Sequence, residues 1–145
     1  MYNRHGLSGT PEYKAWRAMK DRCFNPNTKY YSNWGGRGIA VCDRWKNSFQ
    51  NFFLDMGSRP TAKHSLDRID NDGNYSVENC RWATKAEQQN NQRSNRLITI
   101  DDVTLTIAQW TKEMGFDKTV IKNRLKIGWS EFAAVMTPVR SYKTA

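Results

Sequence analysis

The sequence predicts an α+β protein in two parts, residues 1–93 and residues 97–138. Three observations predict it. Residues 65–87 run as an apolar strand, a polar turn, a second short strand and a capped helix, a ββα unit read from local signals. Helical segments opened by Thr or Ser and closed by Gly flank that unit on both sides. Between the two parts, Arg93-Ser94-Asn95-Arg96 carries no apolar side chain and reads as a linker.

Met1 to Gly9, with His5, reads as a loose polar tail. Thr10 is an N-cap and Pro11 fits the first helical position, so a helix starts here and runs to about Cys23. Tyr13, Trp16 and Met19 or Lys20 form its core stripe, with Lys14, Arg17 and Arg22 facing out. Next come Gly35, Gly36 and Gly38 around Arg37, where the backbone is free to approach another surface closely. Arg37 is a phosphate-contacting candidate there; a tight turn with a solvated arginine explains the same residues. Residues 39–42 read as a short strand with Cys42 buried. Ser48 caps a second helix carrying Phe49, Phe52, Phe53 and Met56, and Gly57 closes it.

The ββα unit occupies residues 64–93. Leu66 and Ile69 bracket Asp67-Arg68. Asn71-Asp72-Gly73-Asn74 is turn chemistry, with Gly73 free to take positive φ. Cys80, Trp82 and Ala83 make the second strand, and Thr84 with Glu87 makes a capping box for the helix. His64 stands just before the unit, a surface or structural histidine or a metal or phosphate contact.

In the second part, residues 97–100 and 103–105 alternate as a hairpin about Asp101-Asp102. Thr106 caps a helix through Met114, and Gly115 stops it. Asp117 caps another through about Lys126, with Val120, Ile121 and Leu125 inward. Lys118, Lys122, Arg124 and Lys126 are left on its open face. Helix, glycine turn and basic helix read as a helix-turn-helix-like DNA-binding module; a helical cap that only packs is the competing reading. A last short helix starts at Ser130 and ends before Pro138.

The 145 residues carry a formal net charge of +9. Such an excess favours a polyanionic partner, above all nucleic acid. Six Trp, six Tyr and six Phe argue against disorder. No apolar run approaches the ~20 residues that span a bilayer, and no signal peptide is evident. Cys23, Cys42 and Cys80 are an odd number without a C-x-x-C pair, which suits reduced thiols and no structural zinc.

The central unit resembles the HNH, or ββα-metal, nuclease superfamily. The matching residues are Asp67-Arg68-Ile69-Asp70, then Asn79-Cys80-Arg81-Trp82-Ala83-Thr84, then Glu87 to Asn91. The resemblance covers about thirty residues directly, and the two-part layout is similar to phage-encoded HNH-like proteins with a small C-terminal helical module. It implies a ββα-metal core, double-stranded DNA as partner and a bacterial host's cytoplasm as location. It also implies a divalent ion held by Asp67 and Gln88, with Mg²⁺ expected and Mn²⁺ the alternative. Asn79 stands where the family holds its loop.

Arg68 departs from the common form, which has a histidine there to activate water. Arginine stays protonated and cannot be a general base. A variant branch among restriction enzymes also has Asp-Arg, then Gly-Tyr, then Asn four residues beyond the tyrosine. Here Gly73-Asn74-Tyr75 has one extra residue before the tyrosine, and Asn79 follows at the same interval. The resemblance implies that Tyr75 stands in as base or nucleophile with Arg68 assisting; the plain reading of Tyr75 is a loop aromatic. The sequence leaves two functions: a metal-dependent DNA endonuclease, or a catalytically inactive DNA-binding protein or regulator on the same scaffold. A buried Tyr75 favours the second.

Overall fold

The fold is that of a computed structural model, which describes residues 6–140. His5 lies outside them. The chain is α+β, and it divides into two compact units at residues 91 and 92. Among the described residues no helix is long and apolar enough to cross a membrane.

The first unit opens with α1, Pro11–Phe24. Thr10 caps it as predicted, its side chain accepting from the Tyr13 N–H. Trp16, Met19 and Cys23 are its buried face. The segment just before it is not wholly loose: Leu7 packs against the core and its carbonyl accepts from Thr10 N at 3.0 Å. Two short 3-10 turns, Tyr31–Asn33 and Gly35–Arg37, follow. Gly35 is needed for space, because a Cβ there would lie 2.2 Å from the Cys23 carbonyl oxygen of α1.

The predicted strand at residues 39–42 is reduced to one parallel bridge between Val41 and Tyr75. Cys42 N donates to Tyr75 O and Tyr75 N to Ala40 O, both at 2.9 Å. Cys42 is half-buried rather than buried. A helical turn that sequence patterning missed, α2 (Asp43–Lys46), then places Trp45 at the centre of the core. Four residues are too short for a helical period to be seen. Helix α3, Phe49–Met56, has Ser48 as its cap and contributes Phe49 and Phe52 to the same core.

Strands β1 (His64–Arg68) and β2 (Cys80–Thr84) pair antiparallel with Asp67 opposite Arg81 and Arg68 opposite Cys80. Helix α4, Lys85–Asn90, follows directly, opened by the full Thr84–Glu87 capping box. Gly73 does not take positive φ. Its place is crowded instead, since a Cβ there would lie 2.7 Å from the Asn79 side-chain nitrogen and would have to displace that amide.

The second unit begins with β3 (Leu97–Ile100) and β4 (Val103–Thr106). Their turn holds Asp101 at φ 48° and Asp102 at φ 65°. Both central residues of a tight hairpin turn adopt this geometry, and Asp tolerates it. Thr106 and Gln109 form a capping box for α5, Ile107–Glu113. Helix α6 runs Val120–Lys126, later than predicted: Asp117 serves through its carbonyl, which accepts from Val120 N at 3.1 Å, and its side chain is not the cap. Helix α7, Glu131–Met136, is capped by Ser130. Ile98, Ile100, Trp110, Ile121, Ala134 and Val135 make this unit's own core.

Candidate functional site

Asp67, Arg68, Tyr75 and Gln88 line one cleft of about 300 Å³ in the first unit. The β1–β2 pairing supplies Asp67 and Arg68, the connecting loop supplies Asn71 and Tyr75, and α4 supplies Gln88. The far wall is Ala15, Ala18 and Arg22 of α1, together with Trp34. Small side chains at two of the three α1 positions keep the space open.

Arg68 is 6 % exposed and donates from Nη1 to the Gly73 carbonyl at 2.8 Å. Its guanidinium carbon lies 5.0 Å from the Tyr75 ring centroid, a cation–π contact. Tyr75 is 2 % exposed and belongs to the core cluster. The predicted catalytic pair is thus built deep in the wall rather than displayed at its rim.

Asp67 sits beneath a cross-strand ion pair, with Arg81 Nε 3.2 Å from Oδ2. Asn91, just past α4, donates to the same oxygen at 3.4 Å and to the Arg68 carbonyl at 2.6 Å. The Asn71 amide in turn donates to the Asn91 carbonyl. Asn71 and Asn91 therefore tie loop, strand and helix together around the acid. Their sequence signal is the run of asparagines beside each turn, side chains suited to bonding nearby backbone.

Gln88 donates to Ser65 Oγ and, at 3.2 Å, to the Ala83 carbonyl. With its nitrogen so engaged, the carbonyl oxygen is what this side chain has for a cation. The cleft lining contains one carboxylate and several amide or hydroxyl oxygens, and neither imidazole nor thiol. That donor set fits a hard ion that keeps most of its waters, the character of Mg²⁺. Among the described residues no three His, Cys, Asp or Glu side chains gather as a metal cluster.

Asn79 braces the loop. Its Oδ1 accepts from Asp70 N at 2.8 Å, and its Nδ2 donates to Asp70 O at 3.0 Å and Asn74 O at 2.9 Å. Asp70 likewise accepts from Asp72 N at 2.9 Å. His64 is not in the cleft lining; its Nδ1 lies 2.8 Å from Thr61 Oγ1.

Arg37 is not a solvated cation. It pairs with Asp72 and donates from Nη1 to the Asn33 carbonyl at 3.0 Å, so it ties the glycine loop to the turn. Arg22, expected to face outward, instead walls the cleft and lies 5.3 Å from the Trp34 ring centroid. A helix face read by apolar spacing alone gives no sign of a polar cleft on its flank.

In the second unit, Lys118, Lys122 and Lys126 are exposed, and the first two line a groove between α5 and α6 with Lys112 and Phe116. Arg124 does not share that open face. It donates to the carbonyls of Ala134 at 2.9 Å, Thr137 at 2.6 Å and Pro138 at 3.2 Å. Its guanidinium also packs 4.9 Å from the Trp129 ring centroid. It is a staple between α6 and the end of α7.

Comparison with protein-family models, with curated proteins and with solved structures returns no match to this chain.

Proposed function

We propose that the chain is a metal-dependent DNA endonuclease with an HNH-like ββα core, of the phage or mobile-element type. The observation that carries the proposal is the gathering of Asp67, Arg68, Tyr75 and Gln88, supplied by strand, loop and helix, around one cleft. Asp67 and Gln88 would hold the divalent ion. When bound, such an ion offsets phosphate charge and makes a water more acidic. Arg68 offers a permanent charge to the phosphate, held in place by Gly73 O and the Tyr75 ring. The Tyr75 ring lies against that charge, which makes its hydroxyl the candidate for a proton or nucleophile role. The basic excess of the chain, +9, suits double-stranded DNA, with Lys118, Lys122 and Lys126 as the second unit's contacts.

One observation favours a second reading. Tyr75 is 2 % exposed and bonded through its backbone to Ala40 and Cys42, which suits a core residue of a catalytically inactive DNA-binding protein or regulator. Plasmid cleavage with Mg²⁺ or Mn²⁺, against EDTA and against Asp67→Ala, separates the two. Metal-dependent nicking or linearisation by the wild type alone supports the endonuclease. Intact DNA binding with no cleavage under either ion supports the regulator.

A further inference from the structure

The six tryptophans differ in one respect. Trp16, Trp45, Trp82 and Trp110 each donate the indole N–H to a protein oxygen, at 2.7, 2.7, 3.0 and 2.9 Å. Trp129 is exposed. Trp34 Nε1 is buried without an acceptor, alone among the buried side-chain polar atoms of the described residues. An orphaned buried donor costs free energy and calls for a ligand or water. Trp34 also walls the cleft.

Arg22 stands beside it. Among the described residues its guanidinium makes no hydrogen bond or ion pair, and its neighbour is the Trp34 ring at 5.3 Å. Gly35 makes this pairing possible, because any side chain there would collide with Cys23 O, at the end of α1 next to Arg22. The loop is thereby pressed onto the helix and Trp34 is set against Arg22. Across the cleft, Arg68 adds a second positive charge, while the one lining carboxylate, Asp67, is already paired with Arg81. The lining thus holds two guanidinium groups, and one of its side chains, Trp34, carries an unused N–H just beneath the surface, the chemistry of a site for a phosphodiester anion.

We propose that Arg22 and the Trp34 indole N–H form a phosphodiester subsite on the α1 wall of the cleft, which takes a backbone phosphate beside the one that Arg68 faces. The assignment of that phosphate to DNA rests on the endonuclease reading; the anion site itself does not. The N–H is buried as the structure stands, so the subsite requires the Arg22 side chain, held by one ring contact, to swing aside and let a phosphate oxygen reach it.

The test is a ¹H–¹⁵N spectrum of the indole region of the full chain, titrated with the dinucleoside phosphodiester d(TpT) and separately with inorganic phosphate. The Trp34 resonance is assigned by its loss in Trp34→Phe. The expected result is a saturable shift of that resonance with d(TpT), larger than at the other indoles, retained in Arg22→Lys and lost in Arg22→Met. Trp34→Phe is expected to weaken short-duplex binding about tenfold, as loss of one bond to a charged group does. Dispersion of the remaining indole signals reports that each variant is folded. A Trp34 resonance unmoved by either anion overturns the subsite, as does a shift undiminished in folded Arg22→Met. A response to inorganic phosphate but not to d(TpT) overturns the assignment to nucleic acid. The readout needs no cleavage: a protein that shifts without cutting keeps the subsite and loses the endonuclease, and one that cuts without shifting does the reverse.

Discussion

The Arg68 guanidinium lies 5.0 Å from the centroid of the Tyr75 ring, and both residues are buried in the cleft wall. The pair makes Tyr75→Phe a clean chemical probe. Phenylalanine keeps the ring under the cation and nearly the same volume, so the cost in stability is expected to stay under ~1.5 kcal/mol. If the hydroxyl takes part in chemistry, single-turnover cleavage falls nearly as far as in Asp67→Ala while the thermal midpoint barely moves. Arg68→His restores the common form of the motif and is the companion variant. Full activity in Tyr75→Phe would sink the tyrosine mechanism and leave a metal-activated water.

Asp67→Ala is expected to abolish metal-dependent cleavage, since no other carboxylate lines the cleft. It also leaves Arg81, half-exposed, without its cross-strand partner. Asp67 is itself largely buried and also accepts from Asn91, so the expected stability loss is about 1–3 kcal/mol. Circular dichroism melting beside the cleavage assay checks both statements. Residual metal-dependent activity in a folded Asp67→Ala moves the ion elsewhere.

Much of the frame was legible because short-range rules govern it. Thr10, Ser48, Thr84 and Thr106 cap helices where their hydroxyls predicted, because a cap is settled within four residues. The joining of Asp67, Arg68, Tyr75 and Gln88 was legible only through the resemblance. What escaped depends on distant partners. Arg37 and Arg124 read as open cations, and each is engaged by groups that no local pattern reveals, Asp72 and the carbonyls after α7. Arg22 and Trp34 escaped for the same reason, since their pairing depends on how Gly35 lets a loop settle on α1.

Asn79→Ala is expected to loosen the loop between β1 and β2. It removes three hydrogen bonds that join Asp70 and Asn74, and leaves a backbone N–H and two carbonyls to find water. A loss of about 1–3 kcal/mol in urea unfolding is expected. Hydrogen exchange should rise at residues 70–75 and stay unchanged in the second unit. Unchanged exchange across that loop would remove Asn79 from its bracing role.

Two thiols should make the first unit sensitive to alkali. Burial pushes Cys23 up to about 11 and Cys80 up to about 12, from an ordinary 9.0. In that window the unfolded chain has released protons that the folded chain retains. Unfolding then becomes easier as pH rises, so this contribution is complete below about 9 and is lost between about 9 and 12. The thermal midpoint should fall across that range, less steeply in Cys80→Ala at equal starting stability. An identical slope in that variant would exclude the thiol as the cause. In the native protein at neutral pH both thiols should resist alkylation.

The last prediction separates charge that binds from charge that holds the fold together. Lys118, Lys122 and Lys126 are exposed on or beside α6, and Arg124 on the same helix is bonded to three carbonyls. Replacing the three lysines by Ala should weaken DNA binding and reduce its salt slope, by roughly one for each phosphate no longer neutralised. Their stability cost should lie within ~0.5 kcal/mol each, as for ordinary surface positions. Arg124→Met should behave in the opposite way. Three carbonyls lose their donor and α7 loses its tie to α6, so unfolding of the second unit is expected to be easier by about 1–3 kcal/mol. Below the melting transition its DNA affinity and salt slope should stay near the wild-type values. The measurement is fluorescence-anisotropy binding across a salt series, paired with urea unfolding of the same proteins. A triple-lysine variant that binds as tightly as wild type, with the same salt slope, would make the helical module a packing cap. An Arg124→Met that melts normally but loses affinity would return Arg124 to the binding face.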